Sequence, residues 1–403
     1  MRVSILSFTP LYRDARVLRQ VEYLSQRHTV TAIGFGELNH PRAQMITLST
    51  GGGTVWQKLR HRVRTGQLLR LPIRIRSFVY FGLGRLWPTF AYENWYWGQA
   101  VFQQALDAVV ASQPDLTHAN DWNALPVAAR AAERSGARFV LDLHEYAPLE
   151  MDHRPLWKVL NRPMIDYFLR RYALRATAHV TVNQFIADTY AREYGFQPVV
   201  VMNAPTQARD LPFRPTDPEC INLIHHGGAS AERRPELMIA TMAQSDHRYR
   251  LKFMLVDADP DYLAQLRALG ERLAPGRVEF LPAIPTMQVV PRIAEFDMGF
   301  YLLPRNNFNN VAALPNKFFD FVSAGLAVCI GPSPEMARLA EQYGFGVVAP
   351  SFEPAAVAQV LNRLTTEDID RMKHKAIAAR AVFNADVEMG KLTALYERLE
   401  SGA

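Results

Sequence analysis

Short runs rich in Val, Ile, Leu and Phe alternate along this chain with stretches in which apolar positions recur every three or four residues. The first kind predicts buried strands and the second amphipathic helices, so the alternation predicts parallel sheets covered by helices. "RVSILSF" is followed by a helical pattern over 14–26 and then by "HTVTAIGF". The rhythm continues with "PDLTHAN", a helix over 123–135, "RFVLDLH", a helix over 156–176, "HVTVN", a helix over 185–194 and "PVVVMNAP". A Pro-rich polar stretch, "APTQARDLPFRPTDPE", then interrupts it and reads as an interdomain connection. The alternation restarts with "CINLIHHGG", a helix over 232–244, "LKFMLVDAD", a helix over 261–273, "RVEFLPAI", a short helix over 286–294 and "DMGFYLLP". The helix and strand of "ALPNKFFDFVSAGLAVCIG" and a last strand, "FGVVAP", follow, and two helical stretches over 367–400 close the chain.

This order predicts an α/β chain of two Rossmann-like, doubly wound parallel-sheet domains facing a central cleft. Residues 1–204 form the first, 205–219 the connection and 220–383 the second, with 384–403 a terminal helix that packs back on the first. A length of 403 residues agrees, being more than one core usually serves. With 49% hydrophobic and 21% charged residues, the composition is that of a packed globular protein. No apolar run reaches the roughly 18 residues that span a bilayer, and "MRVSILSFTPLYRD" turns polar too early for a signal peptide. The expectation is a cytoplasmic protein. Cys220 and Cys329 lie far apart, and Cys329 sits in an apolar run, so neither a disulfide nor a zinc site is expected.

Charge adds a surface to this picture. The formal net charge of +6 divides into +9 over residues 1–203 and −3 over the remainder. Between Glu37 and Glu93 there is no acidic residue, while Lys58, Arg60, Arg62, Arg64, Arg70, Arg74 and Arg76 interleave with Leu and Ile. Followed by the aromatic-rich "SFVYFGLGRLWPTFAYENWYW", this segment over 58–97 suits an anionic membrane surface; the plainer reading is a solvated helix face beside a core helix. No nucleic-acid motif accompanies the charge, so nucleic acid is not an expected partner.

The candidate chemistry sits at strand ends. The first turn, "SFTPLYRDARVLRQ", lacks the glycines of a dinucleotide fingerprint, which argues against a dehydrogenase. There Asp14 reads as a helix cap or as a substrate contact, and Arg16 as a solvated residue or as a second such contact. "RFVLDLHEYAP" ends its strand with Asp142, His144 and Glu145, and His144 suits a sugar hydroxyl or a proton near neutral pH. In "THANDWN", His118, Asn120 and Asp121 end another strand, with Asp121 read most simply as the cap of the next helix. "LIHHGGASAERRPELM" sets Gly227 and Gly228 after a strand and Arg233 at a helix start, a pattern that favours a phosphate. Asp257, Asp259 and Asp261 read as caps rather than a metal site. In "ALPNKFFDFVSAGLAVCIG", Pro315 marks a helix start, Asn316, Asp320 and Ser323 form a polar stripe, and Phe318, Phe319 and Val322 face the sheet. One turn into that helix, Asp320 lies where both hydroxyls of a ribose would meet it if phosphates sat at the helix start.

Taken in order, "DARVLRQVEYL", "DLHE", "VNQFIADTY", "VVVMNAP", "HHGGASAERRPEL", "FDMGFYLLP" and "LPNKFFDFVSAGLAV" resemble the retaining, nucleotide-sugar-dependent glycosyltransferases of the two-domain GT-B fold. This large family includes mannosyl- and glucosyltransferases of polysaccharides and glycolipids. The resemblance spans nearly the whole chain. It implies that Arg233 touches the donor diphosphate, that Asp320 replaces the glutamate that binds the ribose, and that Gly227 and Gly228 shape the phosphate loop. Asn316, Lys317 and Ser323 belong to the same donor segment, His144 lies near the transferred sugar and acceptor, and Asp14, Arg16 and Glu145 face the acceptor. His144, Arg233 and Asp320 are thus the implied catalytic residues. One position departs: the first acid of the family's acidic pair is Ala312 here, with Asn309 and Asn310 nearby.

The implied reaction moves a sugar from a nucleotide diphosphate sugar to a hydroxyl of a lipid-linked or cell-envelope glycan, with retention and with no metal or cofactor. Arg233 and helix N-termini would stabilise the leaving diphosphate, which takes the acceptor's proton. The implied location is the inner face of the cytoplasmic membrane. Two other readings stay open: a catalytically degenerate partner subunit that binds nucleotide sugar or lipid, suggested by Ala312, and a nucleotide-sugar epimerase of the same fold.

Overall fold

The computed structural model describes residues 1–49, 79–206, 211–256 and 259–401. The described chain divides into two compact units, one of residues 1–201 with 391–403, the other of residues 202–390.

The first unit is built on seven strands: β1 (Arg2–Pro10), β2 (Thr29–Phe35), β3 (Ala43–Thr47), β4 (Leu116–Asn120), β5 (Arg138–Leu143), β6 (Ala178–Thr181) and β7 (Val199–Val200). They lie in the order β3-β2-β1-β4-β5-β6-β7, and every pairing is parallel. The central strand β4 is buried at all five positions, as a parallel sheet covered on both faces requires. The order reverses direction between β1 and β4, and open α/β sheets bind ligands outside the carboxyl ends of strands at such a point.

The second unit holds β8 (Ile221–Gly228), β9 (Tyr249–Val256), β10 (Val278–Leu281), β11 (Met298–Tyr301), β12 (Ala327–Ile330) and β13 (Gly346–Val348). Their order is β10-β9-β8-β11-β12-β13, again all parallel, with the switch between β8 and β11. Alternation along each strand feeds two cores. Ile224, Tyr301 and Val328 pack beneath helix Asn316–Ala324 with Phe318, Phe319 and Phe321. Leu223, Phe300 and Cys329 pack on the other face with Met238 and Leu266. Gly299 explains how closely the first helix docks: a Cβ there would stand 2.1 Å from the Phe321 ring. Two α/β units, each a doubly wound parallel sheet, are thus as the hydrophobic pattern predicted.

Several local expectations change. The helix expected over 156–176 is two, Pro155–Leu160 and Arg162–Tyr172, because Pro163 has no N–H to continue the first. The edge strand β3 and helix Pro88–Trp97 carry no clear period in the sequence, whereas helix Ala100–Ala111, also not expected, buries Phe102, Ala105, Leu106 and Val109 at helical spacing. Of the basic segment read as a membrane contact, residues 58–78 lie outside the described residues. Within 79–97 the aromatics divide: Tyr92, Tyr96 and Trp97 are core, with Tyr96 stacked on Phe102, while Leu86, Trp87 and Phe90 are exposed. Among the described residues no helix is long and apolar enough to cross a membrane. Cys220 and Cys329 are free thiols.

Candidate functional site

In the first unit the strand ends enclose a buried polar cluster. Asp14 caps helix Ala15–Leu24, its carboxylate accepting from the N–H groups of Arg16 and Val17 and from the Thr9 hydroxyl at 2.7 Å. That cap turns Arg16 inward. Its Nε and Nη2 each donate to Asp142 at 2.8 Å, Nη1 donates to the Val201 carbonyl at 2.7 Å, and the side chain is 3% exposed. Arg16 is therefore not the solvated residue that one reading expected: a guanidinium this close to a buried carboxylate is held by it. Gln20 Nε2 donates to Asp142 at 2.7 Å and to Asn120 at 3.0 Å. His118 lies 3.3 Å from Asp142 through Nε2 and 2.8 Å from the Tyr396 hydroxyl through Nδ1. Burial alone would raise the Asp142 carboxyl, but Arg16, His118 and His144 hold it well below the usual carboxylate range.

His144 stands at the rim of this cluster, half-buried just beyond β5. Its Nε2 is 3.0 Å from Asn120 Oδ1, and its backbone N–H donates to Asp121 Oδ1 at 3.1 Å. Asp121 is in the left-handed region, with φ of 66°, and its other oxygen lies 3.4 Å from His144 Nδ1. Its side chain thus braces His144 rather than capping the next helix, which begins at Leu125 after Ala124 with no side-chain cap. Glu145 is exposed, and its carbonyl accepts from Tyr190.

In the second unit the candidate donor residues converge at the carboxyl end of β8. Gly227 has φ of 116°, a backbone that favours glycine, and a Cβ on it would stand 3.3 Å from Lys317 Nζ, a tight contact. Gly228 is open on the side its Cβ would occupy. The helix expected from 232 starts later: Arg234 is left-handed, Pro235 sets the boundary and the helix is Glu236–Met242. Arg233 consequently lies in a tight turn, Ala231–Arg233, exposed, and its charge reaches His225, Tyr301 and Lys317.

Helix Asn316–Ala324 starts after Pro315 and ends at left-handed Gly325. Asn316 is exposed, Asp320 half-buried and Ser323 buried, so the polar stripe descends from solvent into the core. Asp320 Oδ2 is 3.5 Å from His226 Nε2. Lys317 turns below the glycine loop, 6% exposed, its Nζ 3.2 Å from His225 Nε2 and 4.5 Å above the Tyr301 ring. Burial, then Arg233, push the Lys317 ammonium well below its usual range. Burial, then Lys317, lower His225 well below the ordinary imidazole range and His226 to about 3. His225, His226 and Tyr301 were not singled out from sequence; the signal was present in "LIHHGG", where adjacent histidines on a strand must face opposite sides.

Ala312 is fully buried after the short helix Phe308–Val311. Asn310, nearby, donates its amide to the Pro304 carbonyl at 3.2 Å. Asp259 caps helix Pro260–Leu273 by accepting from Tyr262 N, as expected; Asp257 lies outside the described residues. Among the described residues no group of three or more His, Cys, Asp or Glu side chains is placed to hold a metal ion.

Residues 16–204 match the model of Glycosyltransferase Family 4. No curated protein matches the chain. Among solved structures, HepE from Anabaena in complex with UDP is similar over 100% of both chains at 15% identity, with a TM-score of 0.68. A complex of HepE with UDP-glucose is similar over 98% of this chain and 100% of its own at 15% identity, with a TM-score of 0.67. Sucrose-phosphate synthase from Thermosynechococcus elongatus is similar over 100% of both chains at 14% identity, with a TM-score of 0.69. The chain therefore has the GT-B fold, and the resemblance read from its motifs is borne out. Together the family match and the fold support a nucleotide-sugar glycosyltransferase of the GT-B type.

Proposed function

We propose that this GT-B protein transfers a hexosyl group from a nucleotide diphosphate sugar to a hydroxyl of a lipid-linked or envelope glycan, with retained anomeric configuration. One observation carries the reading: an open glycine loop at the switch point of the second sheet is surrounded by Arg233, Lys317 and Asp320. Arg233 and Lys317 suit a diphosphate, and Asp320 suits the two hydroxyls of a ribose. The UDP and UDP-glucose held by HepE favour a uridine donor. As the glycosidic bond breaks, charge grows on the leaving diphosphate, and Arg233 and Lys317 offset it without a metal. His144, braced by Asn120 and Asp121, orients the sugar or acceptor, and the acceptor's proton passes to the departing phosphate. Asp14 and Arg16 support this rim from beneath. The exposed Leu86, Trp87 and Phe90, with the basic stretch before them, suit a peripheral seat on an anionic cytoplasmic membrane face; unchanged cosedimentation with anionic liposomes after Trp87→Ser and Phe90→Ser would remove that seat.

Thermal-shift titration with UDP, GDP, ADP and dTDP, with and without EDTA, tests the donor site. Stabilisation by one nucleotide, undiminished by EDTA, is the expected outcome. Indifference to all four would favour the degenerate partner subunit, for which buried Ala312 in the usual acid's place is the motive.

A further inference from the structure

Lys317 is a buried lysine whose Nζ bonds to an imidazole instead of a carboxylate. His225 Nδ1 lies 3.0 Å from the Phe300 carbonyl, a partner that only accepts, so Nδ1 carries the proton and Nε2 is left as an acceptor. That acceptor faces Lys317 Nζ at 3.2 Å. The arrangement satisfies one N–H of an amine and supplies no negative charge. The other groups around Nζ do not supply it at contact distance either. From β8 come His225 and His226, from β11 the Tyr301 ring, from the turn after β8 the cation Arg233, and from its own helix Asp320, which meets His226. Gly227 of the loop adjoins Nζ, and a Cβ there would stand 3.3 Å from it.

We infer that His225 is a positioning residue that holds Lys317 as a neutral amine behind the glycine loop, and that arrival of a nucleoside diphosphate converts it to an ammonium. The proton comes from solvent: the amine gains one proton, and the bound complex holds one more than its free components. Burial points the same way, since it disfavours the cation until an anion is beside it. Donor binding would then weaken as pH rises, because a deprotonated Lys317 must first be charged. This inference rests on the donor site proposed above.

Selective 13Cε labelling of the seven lysines, followed by NMR over pH, tests it, with Lys317 assigned from its loss in Lys317→Met. In the free protein the Lys317 signal is expected to titrate well below the other lysines, and saturating UDP should return it to their range. Calorimetry of UDP binding in two buffers of unlike ionisation enthalpy should show uptake of about one proton between pH 7.5 and 9, above the nucleotide's own phosphate pKa of about 6. Lys317→Met should bind roughly tenfold to hundredfold more weakly and take up none, while His226→Gln should retain the uptake. Titration of Lys317 with the other lysines in the free protein overturns the inference, as does UDP binding without proton uptake. So does uptake that persists in Lys317→Met and disappears in His226→Gln. If UDP does not bind, the donor reading fails separately, while the free-protein titration still judges whether Lys317 is a neutral amine.

Discussion

Each unit buries polar side chains at the carboxyl ends of its central strands, and the two clusters are neutralised differently. In the first, Arg16, Gln20 and His118 converge on Asp142, so charge meets charge and the buried oxygens accept hydrogen bonds. In the second, Lys317 meets a neutral imidazole and no carboxylate at contact distance, and Arg233 supplies the positive charge nearby. In surroundings of low dielectric a paired cluster locks its neighbours in place, whereas an under-neutralised one favours a counter-ion from outside. Burial of a titratable group therefore does not by itself mark function; the missing partner does.

The largest expected effect comes from breaking the paired cluster. Arg16→Met leaves Asp142 buried without its guanidinium and should destabilise the first unit by about 3–5 kcal/mol, read by hydrogen exchange of the β5 amides. A loss below about 1 kcal/mol would erase the distinction between the two clusters. Asp320→Ala should do the opposite: stability changes little, while nucleotide affinity falls by about 1.5–3 kcal/mol, the range for hydrogen bonds to a charged group. Unchanged affinity in a titration would take Asp320 out of the site.

The effect that is smallest per residue is a pH dependence that both clusters share. His118, His225 and His226 are all lowered from the ordinary imidazole value, so the unfolded chain binds their protons first. Their contribution is present above a pH of about 6.5 and fades below it, by at most about 1.4 kcal/mol per pH unit for each histidine. Asp142 is lowered instead, so its contribution persists until pH falls below the ordinary carboxylate value of about 3.9 and is lost beneath that. Urea denaturation at pH 7.5, 6 and 5 should show both units weakening. Constant stability over that range would mean the histidines are not buried as neutral rings.

Much of the fold was legible because parallel strands buried on both faces read as apolar runs and amphipathic helices as a period near 3.6. Asp14 and Asp259 were legible as caps, since a cap bonds N–H groups two or three residues on. So was the helix carrying Asp320, whose Phe318 and Phe319 are fully buried as its spacing requires. The roles of Arg16 and Asp121 were not. Arg16 finds its partner 126 residues away, and Asp121 turns toward His144 through a left-handed backbone that its sequence neighbours do not announce.

By itself the sequence determined what depends on neighbours along the chain: strand and helix types, the alternation that makes two parallel sheets, the turn glycines and the caps. Tertiary structure decided which side chains meet. Lys317 and His225 are 92 residues apart, and His118 and Tyr396 are 278 apart. Such pairs form only when the folded chain brings distant helices and strands together, and whether a buried charge is paired or left for a ligand is set at that moment by geometry, because Coulomb energy depends on distance in space.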